Sequence, residues 1–281
     1  MREVITDDGR TLAVEEWGVA DGTPVVYVAG SPMGRLARYP DPGLFSELGV
    51  RLITYDRPGF GASTPLPGRR VADAAGDILA IAEALDLGRF PLFGVSGGGP
   101  HALAFAAAHP TRATRVATLA AIAPRDADGL DWTAGMMDAN VGSAEAALRG
   151  REAVVERLTA AGTAERPALP AIEQAVLSRP EVRAMLDEAF AGAVRPGVGG
   201  WADDVMALFG TPWGFDPGMV MVPVRMWHGG ADTTVPVAHA HWLAKRMPGA
   251  YVDIEPGAGH AGHFDATPEV LSWLVRHRDD D

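Results

Sequence analysis

Phe90-Pro91-Leu92-Phe93-Gly94-Val95-Ser96-Gly97-Gly98-Gly99-Pro100-His101 is an apolar run that stops at a glycine-rich turn. Small helix-forming residues follow at once, from Ala102 to Ala108. The pattern predicts a strand, a tight turn and a helix, with Ser96 at the tip, the arrangement of a nucleophile elbow. A hydroxyl that projects clear of a sheet needs a strained backbone at its own residue. The residues two before and two after it then crowd together, which Gly94 and Gly98 permit because they lack a Cβ. The following helix aims its N-terminal N–H groups and positive dipole end at the same place, which suits a developing oxyanion. Gly-x-Ser-x-Gly is a common pentapeptide in a chain with 34 glycines. Its plain alternative, a phosphate-binding loop, lacks here the lysine and the spacing that such a loop carries.

Composition narrows the remaining choices. A length of 281 residues suits one large α/β domain with an insertion. Hydrophobic residues at 47% and charged ones at 21% argue against extensive disorder. Lys and Arg number 24 against 36 Asp and Glu, a formal charge of −12. That balance disfavours nucleic acid or an anionic membrane surface as partner. The absence of cysteine excludes disulfides, thiolate metal sites and cysteine nucleophiles. Met1 to Asp8 carries no signal-like apolar run and no stretch reaches membrane-spanning length, so a cytoplasmic protein is expected. The Asp279-Asp280-Asp281 end reads as a solvated tail.

Outward from the turn, strands and helices alternate. Arg2 to Thr6 and Thr11 to Trp17 read as strands around an Asp-Gly turn. Pro24 to Ala29 is apolar throughout, as an interior strand covered on both faces would be, and Arg51 to Tyr55 is a fourth. Val71 to Leu87 has helical apolar spacing, and Val116 to Ala123 is another strand. From Arg125 to Asp216 the rhythm breaks. Helical patterns recur at Ser143–Ala161, Ala168–Leu177, Glu181–Ala193 and Trp201–Leu208, punctuated by Pro and Gly residues such as Pro167. About ninety residues is too many for a single crossover. The expectation is a core of 1–124 and 217–281 with a helical cap at 125–216. Trp132, Met136, Met137, Trp201, Trp213 and Phe215 are candidates to line a substrate pocket beneath it. Strand and helix resume with Val222–His228, Val237–Met247, Ala250–Glu255 and Pro268–His277. The alternation implies right-handed crossovers and a mainly parallel sheet.

A serine hydroxyl is a poor nucleophile until a base takes its proton, and the base needs a third group to set its tautomer. His228-Gly229-Gly230-Ala231-Asp232 follows the penultimate strand, and Gly257-Ala258-Gly259-His260-Ala261-Gly262-His263 follows the last. In a parallel sheet both loops open at the edge where Ser96 emerges. His263 competes with His260 for the base, and Asp126 and Asp128 compete with Asp232 for the acid. His228 could stand behind the site. His101, His109, His239, His241 and His277 read as structural or exposed. His239 and His241 do not share a helix face, which disfavours metal binding. Asp56 and Arg57 read as a turn-stabilising pair.

Five ordered pieces carry a family resemblance: Gly30-Ser31-Pro32; Asp56-Arg57-Pro58-Gly59-Phe60-Gly61-Ala62-Ser63; Gly94 to Gly98; His228 to Asp232 with Val235-Pro236; and Gly257 to His260. In these the chain resembles the α/β-hydrolases, and more narrowly the small cap-bearing bacterial esterases and their lipid- or lactone-hydrolysing relatives. The resemblance implies an eight-stranded, mainly parallel sheet flanked by helices. It implies Ser96 as nucleophile, Asp232 as acid and His260 as base, with the backbone N–H groups of Ser31 and Gly97 as oxyanion donors. No cofactor or metal is implied. Relatives usually carry His-Gly where this chain has Ala29-Gly30, so the side chain that braces the oxyanion loop is missing. The expected activity is hydrolysis of a small hydrophobic ester, lactone or thioester through an acyl-enzyme. The same triad could serve C–C bond hydrolysis, perhydrolysis or acyl transfer. A ligand-binding protein that no longer turns over is the reading from another class. Nothing in the pattern sets an oligomeric state.

Overall fold

Eight strands form one sheet because apolar β-branched runs recur at βα spacing. They are β1 Arg2–Ile5, β2 Thr11–Gly18, β3 Thr23–Val28, β4 Val50–Tyr55, β5 Phe90–Val95, β6 Ala113–Leu119, β7 Val224–Gly229 and β8 Ala250–Glu255. The coordinates are a computed structural model, and they describe residues 1–161 and 169–276. The expected Pro167 break, the start of the helix read from Ala168, His277 and the acidic tail lie outside the described residues.

The strand order is β1-β2-β4-β3-β5-β6-β7-β8. β1 with β2 and β2 with β4 pair antiparallel, and every other neighbouring pair is parallel. β3 and β5 lie side by side, with Val26 opposite Leu92 and Val28 opposite Gly94. The chain leaves β3 towards one edge of the sheet and leaves β5 towards the other. A crevice therefore opens between their C-terminal ends, the position where ligands of open α/β sheets bind. Ser31 and Ser96 stand at its two rims.

The helices are α1 Gly43–Glu47, α2 Ala74–Ala84, α3 Gly98–Ala108, α4 Asp138–Arg149, α5 Arg151–Ala161, α6 Ala171–Leu177, α7 Pro180–Ala193, α8 Gly199–Val205, α9 Ala238–Ala244 and α10 His263–Val275. Alternate residues of β3 face opposite layers, as the strand period demands. Val26 and Val28 pack with Ile78 and Ile81 of α2 and with Leu103 and Phe105 of α3. Val25 and Tyr27 pack with Phe45 of α1 and with Val270, Leu271 and Leu274 of α10.

The residues between β6 and β7 divide between those same two layers. α4, α5 and α8 bury Ala146, Val154 and Ala202 in the first layer. α6 and α7 bury Val176, Val182 and Met185 in the second. Several boundaries differ from the sequence reading. The pattern read as one helix over Ser143–Ala161 is two, broken at Gly150, whose φ of +111° is closed to most other residues. β6 starts three residues earlier than Val116 and ends at Leu119, because Ala120 turns away with a φ of +52°. α10 begins at His263 and carries Pro268 inside it rather than at its start. α1 had no sequence counterpart.

Candidate active site

Ser96 has a φ of +51°, so the turn holds a non-glycine residue in the left-handed region. The surroundings enforce it. A Cβ on Gly94 would strike the backbone of Gly98, and one on Gly98 would strike Val28 and Ala29 of the neighbouring strand end. The serine amide donates to Leu119 O at 2.8 Å, which pins the turn to β6. Its hydroxyl makes no hydrogen bond within the described residues.

The backbone N–H groups of Ser31 and Gly97 likewise have no partner among the described residues. They are close neighbours, because a Cβ on Gly97 would sit 3.5 Å from Ser31 N. Gly97 O is spent on the His101 Nδ1–H at 2.7 Å. Burial pushes the His101 imidazole down to about 3, which leaves it neutral beneath the turn.

The loops after β7 and β8 bring Asp232 and His260 together, with Asp232 Oδ2 accepting from His260 Nδ1–H at 2.7 Å. That bond sets the tautomer and leaves Nε2 as the acceptor. Asp232 Oδ1 accepts from the backbone N–H groups of Thr234 at 2.8 Å and Val235 at 2.9 Å. His228 Nε2 lies 3.4 Å from Asp232 Oδ2 and donates to Val235 O at 2.7 Å. Burial alone would raise the Asp232 carboxyl. The nearby His260 and the hydrogen bonds from His228, His260 and Val235 outweigh it and hold Asp232 ionised. Burial would lower His260, but the Asp232 carboxylate, its hydrogen bond and the Glu173 carboxylate together raise it.

His263 makes no such contact. Its Nδ1 is buried without a partner, and burial followed by the neighbouring His260 pushes it down to about 3. Asp265 pairs with Arg179 rather than with either histidine. His239 spends both ring nitrogens on the backbone, accepting from Ala123 N and donating to Trp132 O.

Two cavities flank Ser96 and share Ser31, Thr234 and His260 in their walls. One, of about 280 Å³, lies under α6 and α7 and is walled by Met33, Leu177, Met185, Leu186 and Phe264, with Glu173 beside His260. The other, of about 220 Å³, lies under α4 and α8 and adds Gly97, Asn140, Ser143, Trp201 and Phe209. Of the six residues expected to line a pocket, Trp201 lines this second cavity. The other five line neither. Trp132 is edge-on to Phe209 and donates to Ala123 O. Trp213 stacks on Phe215 and donates to Leu208 O. Met136 is buried in the same layer. Met137 is held by the loop after β7, with its amide on Thr233 O. Large apolar side chains in a helical segment packed against a sheet are drawn first into its core.

The sequence reading missed three residues here. Arg57 is 1% exposed and does not pair with Asp56. Instead it donates to Ala29 O and forks onto Asp204 of α8, which also holds Arg69 at 2.5 Å. An arginine thus braces the loop at Ala29, where a histidine was expected to be missed. Asp56 stabilises the turn without it, accepting from the amides of Arg35 and Ala62. Asp204 and Glu173 are acidic residues in helical patterns, and no local sequence signal marks either.

Residues 23–267 match a family model described as the alpha/beta hydrolase fold. A non-heme chloroperoxidase of Streptomyces lividans is 35% identical over 126 residues, 44% of this chain and 46% of that protein. A proline iminopeptidase of Xylella fastidiosa is 33% identical over 117 residues, covering 39% and 36%. The chain thus aligns with less than half of the length of these curated relatives. An esterase from Exiguobacterium antarcticum superposes over 97% of both chains with a TM-score of 0.71 at 21% identity, a likeness of fold.

Proposed function

The chain belongs to the α/β-hydrolase fold family, and from that membership we propose that it is a serine hydrolase acting on an ester-type bond. The observation that carries the reading is the wall common to both cavities. There a hydroxyl on a strained turn, a histidine oriented by a buried carboxylate and the unspent Ser31 N–H meet, with the unspent Gly97 N–H beside them in the wall of the second cavity.

Ser96 Oγ attacks the carbonyl carbon while His260 Nε2 takes its proton. Asp232 holds the imidazolium through Nδ1. The oxyanion accepts hydrogen bonds from the Ser31 and Gly97 amides, each such donor contributing about 3 kcal/mol to the transition state. His260 then protonates the leaving alcohol, activates water, and the acyl-enzyme is cleaved. On this reading residues 125–216 act as a cap. The cavity under α6 and α7 favours a small apolar substituent, and the one under α4 and α8 takes the other side of the scissile bond. A second reading exchanges water for hydrogen peroxide at the acyl-enzyme, and the relative named a chloroperoxidase favours it.

The test is turnover of a short-chain aryl ester together with labelling by a fluorophosphonate. The wild type should hydrolyse the ester and take up one label, and Ser96→Ala should lose both. Undiminished turnover in Ser96→Ala would sink the assignment. Added peroxide yielding peracid at the expense of acid would favour the second reading.

A further inference from the structure

We propose that Glu173 is a positioning residue for the base, a carboxylate delivered by α6 that fixes the backbone of His260. The proposal rests on His260 being the base. Glu173 is 5% exposed, and each of its oxygens is committed. Oε1 accepts from His260 N at 2.6 Å and Oε2 from Ala261 N at 2.7 Å. Among the described residues no cationic side chain pairs with it. These two N–H groups open the single turn, His260–Gly262, that leads into α10. Such groups have no intrahelical acceptor, and a negative charge is favourable there. Without Glu173 the Ala261 amide would be buried unpaired.

The arrangement is built from both sides. A Cβ on Gly259 would collide with Glu173 Oε1, so glycine before the histidine leaves room for the carboxylate. The imidazole itself is held at the other end by Asp232 Oδ2. His260 is therefore gripped at its backbone by one acid and at its ring by another. Asp232 comes from the loop after β7 and Glu173 from α6, so two separate parts of the chain hold the one residue. The ionisable groups around His260 are Asp232 and His228 from the β7 side, His263 of α10 and Glu173 of α6.

Two variants test this. Glu173→Gln keeps the shape but turns an amide N–H toward one of the two donors. Gly259→Ala keeps the carboxylate and displaces it. Each is read by kcat and KM for the aryl ester, by the pH profile, by NMR titration of the His260 imidazole and by thermal melting. Both should lose about tenfold or more in kcat with KM unchanged, as expected when a reacting group is misplaced. Glu173→Gln should also move the His260 titration and the acid limb of the rate to lower pH, because a charge favouring the imidazolium is gone. A kcat and a His260 titration like those of the wild type would overturn the proposal, whether or not the melting temperature falls. If the wild type hydrolyses no ester, the base reading fails by itself. The His260 titration still decides then whether Glu173 governs this histidine.

Discussion

His260 and His263 are three residues apart and chemically identical in isolation, so their surroundings divide the roles. His260 donates to a buried carboxylate, which raises its affinity for a proton. His263 has an unpartnered Nδ1 and is held neutral by burial. His260→Gln should therefore lower kcat/KM by roughly 10²–10⁴, the usual range for a general base, while His263→Gln should keep most of it. On the proposed mechanism the base works only when neutral, so activity should fall as pH drops through its pKa. Because that pKa is raised, the acid limb of kcat/KM should have its midpoint above the ordinary imidazole value of about 6.5. A midpoint below that value would contradict the Asp232 pairing. Ser96, Asp232 and His260 could be singled out because each lies in the turn or loop that follows a strand, and strand order alone carries those loops to one edge of the sheet. Met136 and Trp213 were misread because apolarity marks burial without telling core from cavity wall.

At the scale of elements, two acidic side chains tie the segment between β6 and β7 to the sheet. Glu173 of α6 reaches the loop after β8, and Asp204 of α8 reaches Arg57 and Arg69 beside the loop after β3. Asp204 is fully buried, and burial would raise its carboxyl. The two arginines override that and keep it ionised. Removing it leaves two buried guanidinium groups uncompensated. Asp204→Ala should cost about 3–5 kcal/mol in a urea titration, whereas exposed Asp187→Ala in the i,i+4 pair with Arg183 should cost less than about 1 kcal/mol. Equal effects would show that the buried network contributes nothing special. Such ties were not legible in the sequence, since Arg57 and Asp204 stand 147 residues apart. Helical periodicity found the helices of this segment, but it reports only which face of an element is apolar. The break at Gly150 was hidden for a similar reason, because apolar spacing runs on through it.

For the molecule as a whole, buried neutral histidines determine how it meets acid. His101, beneath the Ser96 turn, and His239, between the loops after β6 and β7, are each 1% exposed. Burial pushes them down to about 3 and about 4. The unfolded chain binds protons at these residues below about pH 6.5 and the folded one does not, so their contribution to stability falls as pH falls. His263, also pushed down to about 3, acts in the same sense, and each of the three takes away up to about 1.4 kcal/mol per pH unit between about pH 6 and its own folded value. His260 acts in the opposite sense and in another window. Its raised pKa contributes stability that is complete below about 6.5 and is lost only at higher pH. Asp232 and Asp204, both depressed, withdraw their contributions only below the usual carboxylate range near 4. The order of events therefore distinguishes histidines from carboxylates. Urea unfolding at pH 6.5, 5.5 and 4.5 should show a steep, continuous loss of stability across that range, and His101→Gln should remove about a third of the slope. A plateau down to pH 4.5 followed by collapse would mean that the carboxylate pairs alone govern acid stability, and that His101 takes up its proton without unfolding.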